Sequence, residues 1–172
     1  MAFNITRHVV LGPACAALIA LAMQGAALAQ SPADTVAWTL TAPSADSVKP
    51  GARVVLKLQG VVLDGWHVYA LKQLPGGPTP LRVALDPSDV AASAGAPAGS
   101  PTIKVRDPSF NLDTEYYSKP FSVTVPVRIG AKAAAGKQSI PVSVRFQTCN
   151  GEICHPPKTV KLSAPVTVQG NG

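Results

Sequence analysis

Beyond residue 30 the chain alternates apolar and polar positions with a period of two, the spacing that sends successive side chains to opposite faces of a strand. Alternating or β-branched segments occur at residues 36–41, 53–63, 66–71, 81–85, 102–105, 121–129, 139–148 and 159–168. Turn-forming residues separate them: Lys49-Pro50-Gly51, Asp64-Gly65, Pro75-Gly76-Gly77-Pro78, Asp107-Pro108 and Asn150-Gly151. Short strands at this spacing, with no helical period between them, predict an all-β chain folded as a single immunoglobulin-like β-sandwich. Residues 91–101 (AASAGAPAGSP) carry no large apolar side chain and read as a flexible surface loop. Residues 169–172 read as a frayed end.

The N-terminal pattern is different. An apolar run from Val9 to Leu28 follows Arg7 and is broken only by Gly12, Pro13, Gln24 and Gly25. It closes on Ala27-Leu28-Ala29, the small-x-small arrangement that signal peptidase cleaves, so residues 1–29 are expected to be a signal peptide. The mature domain would then run over residues 30–172, in the periplasm of the exporting cell. Cys15 precedes most of the apolar run, where a lipid-modified cysteine would follow it, and is expected to leave with the peptide. No later stretch is long and apolar enough to span a bilayer.

Charge narrows the partners. The chain has 15 Lys and Arg against 9 Asp and Glu. The basic residues are scattered singly, as at Lys57, Lys72, Arg82, Lys104 and Arg128, with no block and no stacking aromatics beside them. That pattern describes a solvated surface and argues against nucleic acid as a partner.

Removal of residues 1–29 leaves two cysteines, Cys149 and Cys154, flanking the tight-turn dipeptide Asn150-Gly151. A hairpin of this length brings the two Cα atoms to roughly 4.4–6.8 Å, where a disulfide closes, and an oxidising compartment lets it form. Three readings of the pair stay open on spacing alone. A ring this short contributes about 2 kcal/mol by loop entropy, which is modest for a staple, whereas a disulfide at an exposed tip is reachable by an attacking thiolate. A non-catalytic binding module braced by the bridge is the second reading. The third is copper handling through Cys149, Cys154 and His155, with His67 as a further candidate ligand, although zinc-type ligand pairs are missing. A protonated His155 would favour a thiolate at Cys154, and Pro156-Pro157 removes two donors from the exit of the hairpin.

The string Phe146-Gln147-Thr148-Cys149-Asn150-Gly151-Glu152-Ile153-Cys154-His155-Pro156-Pro157 resembles the active-site hairpin of the N-terminal periplasmic domain of the thiol:disulfide interchange reductase DsbD. Asp64-Gly65-Trp66-His67-Val68-Tyr69, Asp113-Thr114-Glu115-Tyr116-Tyr117 and residues 121–127 resemble, in order, that family's Asp-Gly-aromatic strand, its acidic-aromatic cap loop and the strand after it. The resemblance implies an immunoglobulin fold and a redox pair Cys149 and Cys154, with Cys154 the nucleophile. It further implies a cap made by Tyr116 and Tyr117 with Asp113 and Glu115, and a site lined by Tyr69. From the residues alone, Tyr69, Tyr116 and Tyr117 are ordinary packing residues.

The implied activity is that of a protein-disulfide reductase component needing no cofactor and no metal. A thioredoxin-like or membrane thiol reductase would donate electrons to it, and periplasmic disulfide-bearing proteins would accept them. Two departures stand out. Four residues separate the cysteines, one fewer than in the best-known members, and the membrane and thioredoxin-like domains of the full reductase are not in this sequence. The expectation is a carrier that draws on a separate reductase.

Overall fold

The computed structural model describes residues 35–42 and 47–170, so the signal peptide expected over residues 1–29 lies outside the described residues. The first half supplies β1 (Val36–Thr41), β2 (Arg53–Val62), β3 (His67–Tyr69), β4 (Arg82–Leu85), β5 (Ala91–Ser93) and β6 (Ala98–Gly99). The second half supplies β7 (Ile103–Asp107), β8 (Leu112–Tyr117), β9 (Phe121–Ile129), β10 (Gly136–Phe146), β11 (Thr148–Cys149) and β12 (Lys158–Val168). All strand pairs between these elements are antiparallel and none of the described residues is helical. No helix among them is long and apolar enough to cross a membrane.

One sheet runs β1-β2-β9-β5, with β6 also on β9; a second runs β12-β10-β4; a third runs β11-β3-β8-β7. The first two face each other across the core and form the expected immunoglobulin-like sandwich. Strand alternation makes this core: Leu56 and Leu58 on β2, Val123, Val125, Val127 and Ile129 on β9, and Ile140, Val142 and Val144 on β10 are all buried, with exposed or half-buried residues between them. Each such side chain contributes about 1.5–3 kcal/mol by leaving water. Trp38 fills one end, edge-on to Phe121 and Phe146 with ring centroids at 5.7 and 5.1 Å.

Residues 91–101 depart from the expected loop. Ala91–Ser93 and Ala98–Gly99 pair with β9 at its far edge, and Ala91 is buried. Small side chains are what this edge requires, since a Cβ at Gly99 would collide with the Tyr117 hydroxyl. Pairing lapses between the two short strands opposite Pro126, whose carbonyl accepts from Ala94 N but whose nitrogen has no proton to give on that side. The C-terminal end also differs: Gln169 is tied down, its backbone N donating to Val48 O at 2.8 Å and its side chain to the Ser47 hydroxyl at 2.9 Å.

The third sheet positions the cysteines. Gln147 interrupts the long strand that began at β10. Its carbonyl accepts from Tyr69 N at 3.3 Å and its side-chain oxygen from Thr79 N at 2.7 Å. Past it the chain continues as β11 against β3, pairing Cys149 with His67.

Candidate functional site

The hairpin between β11 and β12 has a tip built by Asn150. Its side-chain oxygen accepts from Glu152 N at 3.0 Å and Ile153 N at 2.8 Å, while its own backbone N donates to Ile153 O at 3.1 Å. Gly151 sits at φ +92°, a conformation that glycine adopts without steric cost. These contacts bring Cys149 and Cys154 to a Cα separation of 4.1 Å, joined by a disulfide. Below the bridge, His155 N donates to Thr148 O and the chain leaves through Pro156-Pro157 into β12.

The two sulfurs occupy unlike surroundings. Cys149 is 1% exposed, whereas Cys154 is half-buried at the tip. Behind Cys149 lies Tyr69, fully buried, with its hydroxyl 3.1 Å from Cys149 Sγ and 4.0 Å from Cys154 Sγ. The same hydroxyl donates to Asp107 Oδ2 at 2.7 Å. A phenol has one proton to donate, and a carboxylate accepts it far better than a disulfide sulfur does. Burial first, then the hydrogen bond and negative charge of Asp107, hold the Tyr69 phenol far above its ordinary titration range. It is a fixed neutral group between a carboxylate and a sulfur.

Asp107 was not foreseen from the sequence as a site residue. It is 5% exposed at the end of β7, and each of its oxygens is used. Oδ1 accepts from Ser109 N at 2.9 Å and so folds the turn over residues 108–111; Oδ2 holds Tyr69, with the Thr114 hydroxyl at 3.5 Å. That turn lies against the disulfide. The Ser109 hydroxyl is 4.0 Å from Cys154 Sγ, and the Phe110 ring stands edge-on to Tyr69 at 5.8 Å.

Asp113-Thr114-Glu115-Tyr116-Tyr117 is not a loop but most of β8, paired with β7 on one side and β3 on the other. Strand alternation then divides its side chains. Thr114 and Tyr116 face the disulfide side, where the Tyr116 ring packs on His67 at 4.4 Å. Asp113 and Glu115 face the other side: Lys104 pairs with Asp113 at 3.5 Å, and the Thr102 hydroxyl donates to Glu115 Oε2 at 2.9 Å. Tyr117 points into the sandwich core, stacked on Phe121 at 4.0 Å, and burial raises its phenol above the ordinary range, helped by the charge of Glu115. The structure therefore brings Tyr69 and Tyr116 to the cysteines and keeps Asp113, Glu115 and Tyr117 away. The Asp-Pro-Ser-Phe sequence, an acidic residue one turn before an aromatic, was the signal available for Asp107 and Phe110.

A cavity of about 420 Å³ opens beside Cys149, walled by Trp66, His67, Tyr69, Tyr116, Asp107 and Ser109. His67 Nε2 is buried there without a hydrogen-bond partner. Desolvation lowers the His67 pKa below its usual value, against the opposing pull of Asp107, so the ring is held neutral. The His155 ring packs on Trp66 at 4.4 Å, with Nδ1 3.5 Å from the Thr148 hydroxyl. Among the described residues no group of three or more His, Cys, Asp or Glu is arranged to hold a metal ion.

Comparison with known proteins adds the family. No curated protein matches the chain. Two solved structures are similar in outline. BcpA, the major pilin subunit of Bacillus cereus, aligns at 9% identity and TM-score 0.39, covering 77% of this chain and 40% of its own. A family 123 glycoside hydrolase from Clostridium perfringens aligns at 10% identity and TM-score 0.33, covering 77% of this chain and 27% of its own. The family model described as thiol:disulfide interchange protein DsbD, N-terminal, matches residues 37–165, from β1 into β12 and through both cysteines. The chain belongs to the family of DsbD N-terminal domains, a thiol–disulfide interchange domain built on an immunoglobulin-like sandwich.

Proposed function

We propose that this domain is a periplasmic carrier of reducing equivalents, and that the unequal burial of Cys149 and Cys154 sets the order of its chemistry. The half-buried Cys154 is the sulfur a partner can reach. In the reduced domain its thiolate attacks one sulfur of a partner disulfide, forming a mixed disulfide and releasing a partner thiolate, which takes up a proton. Cys149 then attacks Cys154 Sγ, gives up its own proton, and expels the second partner thiol, so that two electrons and two protons have moved and the Cys149–Cys154 bridge is restored. A thioredoxin-like or membrane thiol reductase returns the pair to the dithiol by the reverse steps. Exported disulfide-bearing proteins are the acceptors.

Asp107 and Tyr69 support this division of labour. Tyr69 and, through it, Asp107 hold Cys149 in a buried pocket and leave the half-buried Cys154 as the sulfur that opens the exchange. The turn over residues 108–111, with Phe110, takes the cap role in place of the β8 residues 113–117, and Tyr116 with His67 lines the approach. This arrangement favours a reactive pair over a bracing staple, because a staple has no use for a roofed sulfur backed by a buried carboxylate.

The test is a trap. A Cys149→Ser variant, reduced and mixed with an oxidised thioredoxin-fold protein, is expected to accumulate a mixed disulfide through Cys154, while Cys154→Ser accumulates none. Absence of the adduct from both variants refutes the carrier reading. A reduction potential well below about −300 mV would place the bridge beyond cellular reductants and favour the staple. Fractionation of cells making the chain with and without residues 1–29 tests export.

A further inference from the structure

The Asn150-Gly151 dipeptide that turns the hairpin lies inside the ring closed by Cys149 and Cys154. Asparagine followed by glycine is the sequence in which the backbone nitrogen reaches the side-chain amide carbon with least obstruction, because glycine has no Cβ to block the approach. In the disulfide form that approach is restrained twice. The Asn150 side-chain oxygen is turned past Gly151 to accept from Glu152 N and Ile153 N, at 3.0 and 2.8 Å. The backbone on both sides is tied by the bridge and by the hydrogen bond from Asn150 N to Ile153 O. Gly151 itself is exposed, so water has access to the tip.

We infer that Asn150 is a modification site gated by the redox state of the pair, protected while Cys149 and Cys154 are bridged and open to deamidation once they are reduced. Reduction removes the tether and lets the tip exchange its side-chain caps for water. Gly151 N then attacks Asn150 Cγ; the C–N bond to the amide nitrogen breaks and ammonia leaves with the Gly151 proton. Water opens the resulting cyclic imide at one of its two carbonyls and leaves an aspartate or an isoaspartate at position 150. One ammonia is lost, one water is consumed, and no electrons move.

The product alters the site. A carboxylate at position 150 sits between the two cysteines in sequence and opposes ionisation of the neighbouring thiols, which slows attack by Cys154. The isoaspartate form also adds a methylene to the backbone and spoils the Cys149–Cys154 bridge pairing. A domain held reduced without a partner is thereby retired, and one resting as the disulfide is preserved. The modification goes beyond the carrier reading and is independent of it, because the chemistry needs only the ring and the dipeptide.

Peptide mapping tests it. The purified protein is incubated at mildly alkaline pH with and without dithiothreitol, and the tryptic peptide 146–158 is followed for amide-to-acid conversion. Asn171-Gly172, outside the ring, is the internal reference. Conversion at Asn150 is expected to be on the order of tenfold faster in the reduced protein, since closing so short a ring restricts the chain by one to two powers of ten. The reference should convert at one rate in both. A Cys149→Ser, Cys154→Ser double variant, unbridged without reductant, should follow the faster rate. Equal rates at Asn150 in the two redox states, or a double variant as slow as the disulfide form, overturn the proposal. An Asn150→Asp variant checks the consequence: its reduced Cys154 is expected to alkylate several-fold more slowly than wild type, and equal rates refute the retirement of the site. Failure of the trapping experiment leaves the mapping result standing, so the two readings fall separately.

Discussion

The sandwich and the site sheet are built on opposite principles. Between β2, β9, β10 and β12 the interior is apolar and redundant, and no polar side chain is buried among them. Every buried polar residue among those described belongs to the site end: Asp107 and Thr114 behind the disulfide, and Thr148 with its hydrogen-bond partner Thr35. The site strands are also short, with β3 spanning three residues and β11 two, against eleven each for β10 and β12. Apolar burial tolerates approximation, because one aliphatic side chain substitutes for another at small cost. A buried carboxylate does not, because its hydrogen bonds must be met by particular donors. The long strands supply stability and the short ones hold a few polar atoms in register with two sulfurs.

Five substitutions probe that contrast. The largest effect falls in the sandwich. Ile140→Ala, at a fully buried position, is expected to cost about 2–5 kcal/mol in denaturant unfolding while leaving the thiol-exchange rate of the folded protein unchanged. A changed exchange rate would show that the two regions are not separable. Asp107→Asn acts the other way. It keeps the shape of the site but removes its negative charge, so Cys149 in the reduced protein should ionise at lower pH. Its alkylation rate near neutrality should then rise on the order of tenfold. No change would mean that Asp107 only braces the turn and Tyr69.

Phe110→Ala should speed reduction of the bridge by a small thiol several-fold without altering the unfolding midpoint appreciably, if the turn over residues 108–111 is the shield. Reduction at an unchanged rate assigns the shield to Tyr116, which Tyr116→Ala would reveal.

The smallest effect belongs to His67. Burial lowers its pKa below the ordinary histidine value, so the unfolded chain takes up a proton as the pH falls through about 6.5 while the folded chain resists. The stability of the wild type is therefore full above that pH and declines below it. His67→Phe should flatten this part of the acid slope in unfolding midpoints measured across pH, and an unaltered slope would place the titration elsewhere.

Much of the strand plan was legible because period-two alternation is a local signal. Residues 36–41 and 121–129 match β1 and β9 in full, and 53–63 and 159–168 miss β2 and β12 by one residue. The signal failed where residues are small or where both faces are covered. Ala91–Ser93 and Ala98–Gly99 have no large side chain to alternate, yet small size is what lets them lie along β9 beside Tyr117. The rest of β8, residues 113–117, is polar and aromatic throughout because one face meets the site and the other meets Lys104 and the core. In the site, Cys149, Cys154 and Tyr69 were legible from motif and order. Asp107 and Phe110 were not, because their role comes from folding a turn back onto a strand distant in sequence.

The sequence alone determined the all-β class, the closeness of the two cysteines and the turn between them, since alternation, proline and glycine content and an Asn-Gly hairpin act over a few residues. Only the tertiary structure decided which cysteine is buried, which carboxylate stands behind it and which turn lies against the bridge. Those depend on the pairing of β3 with β8 and β11, and on a turn at residues 108–111 reaching a hairpin some forty residues later. Contacts of that separation are set by register and packing, which no local pattern carries.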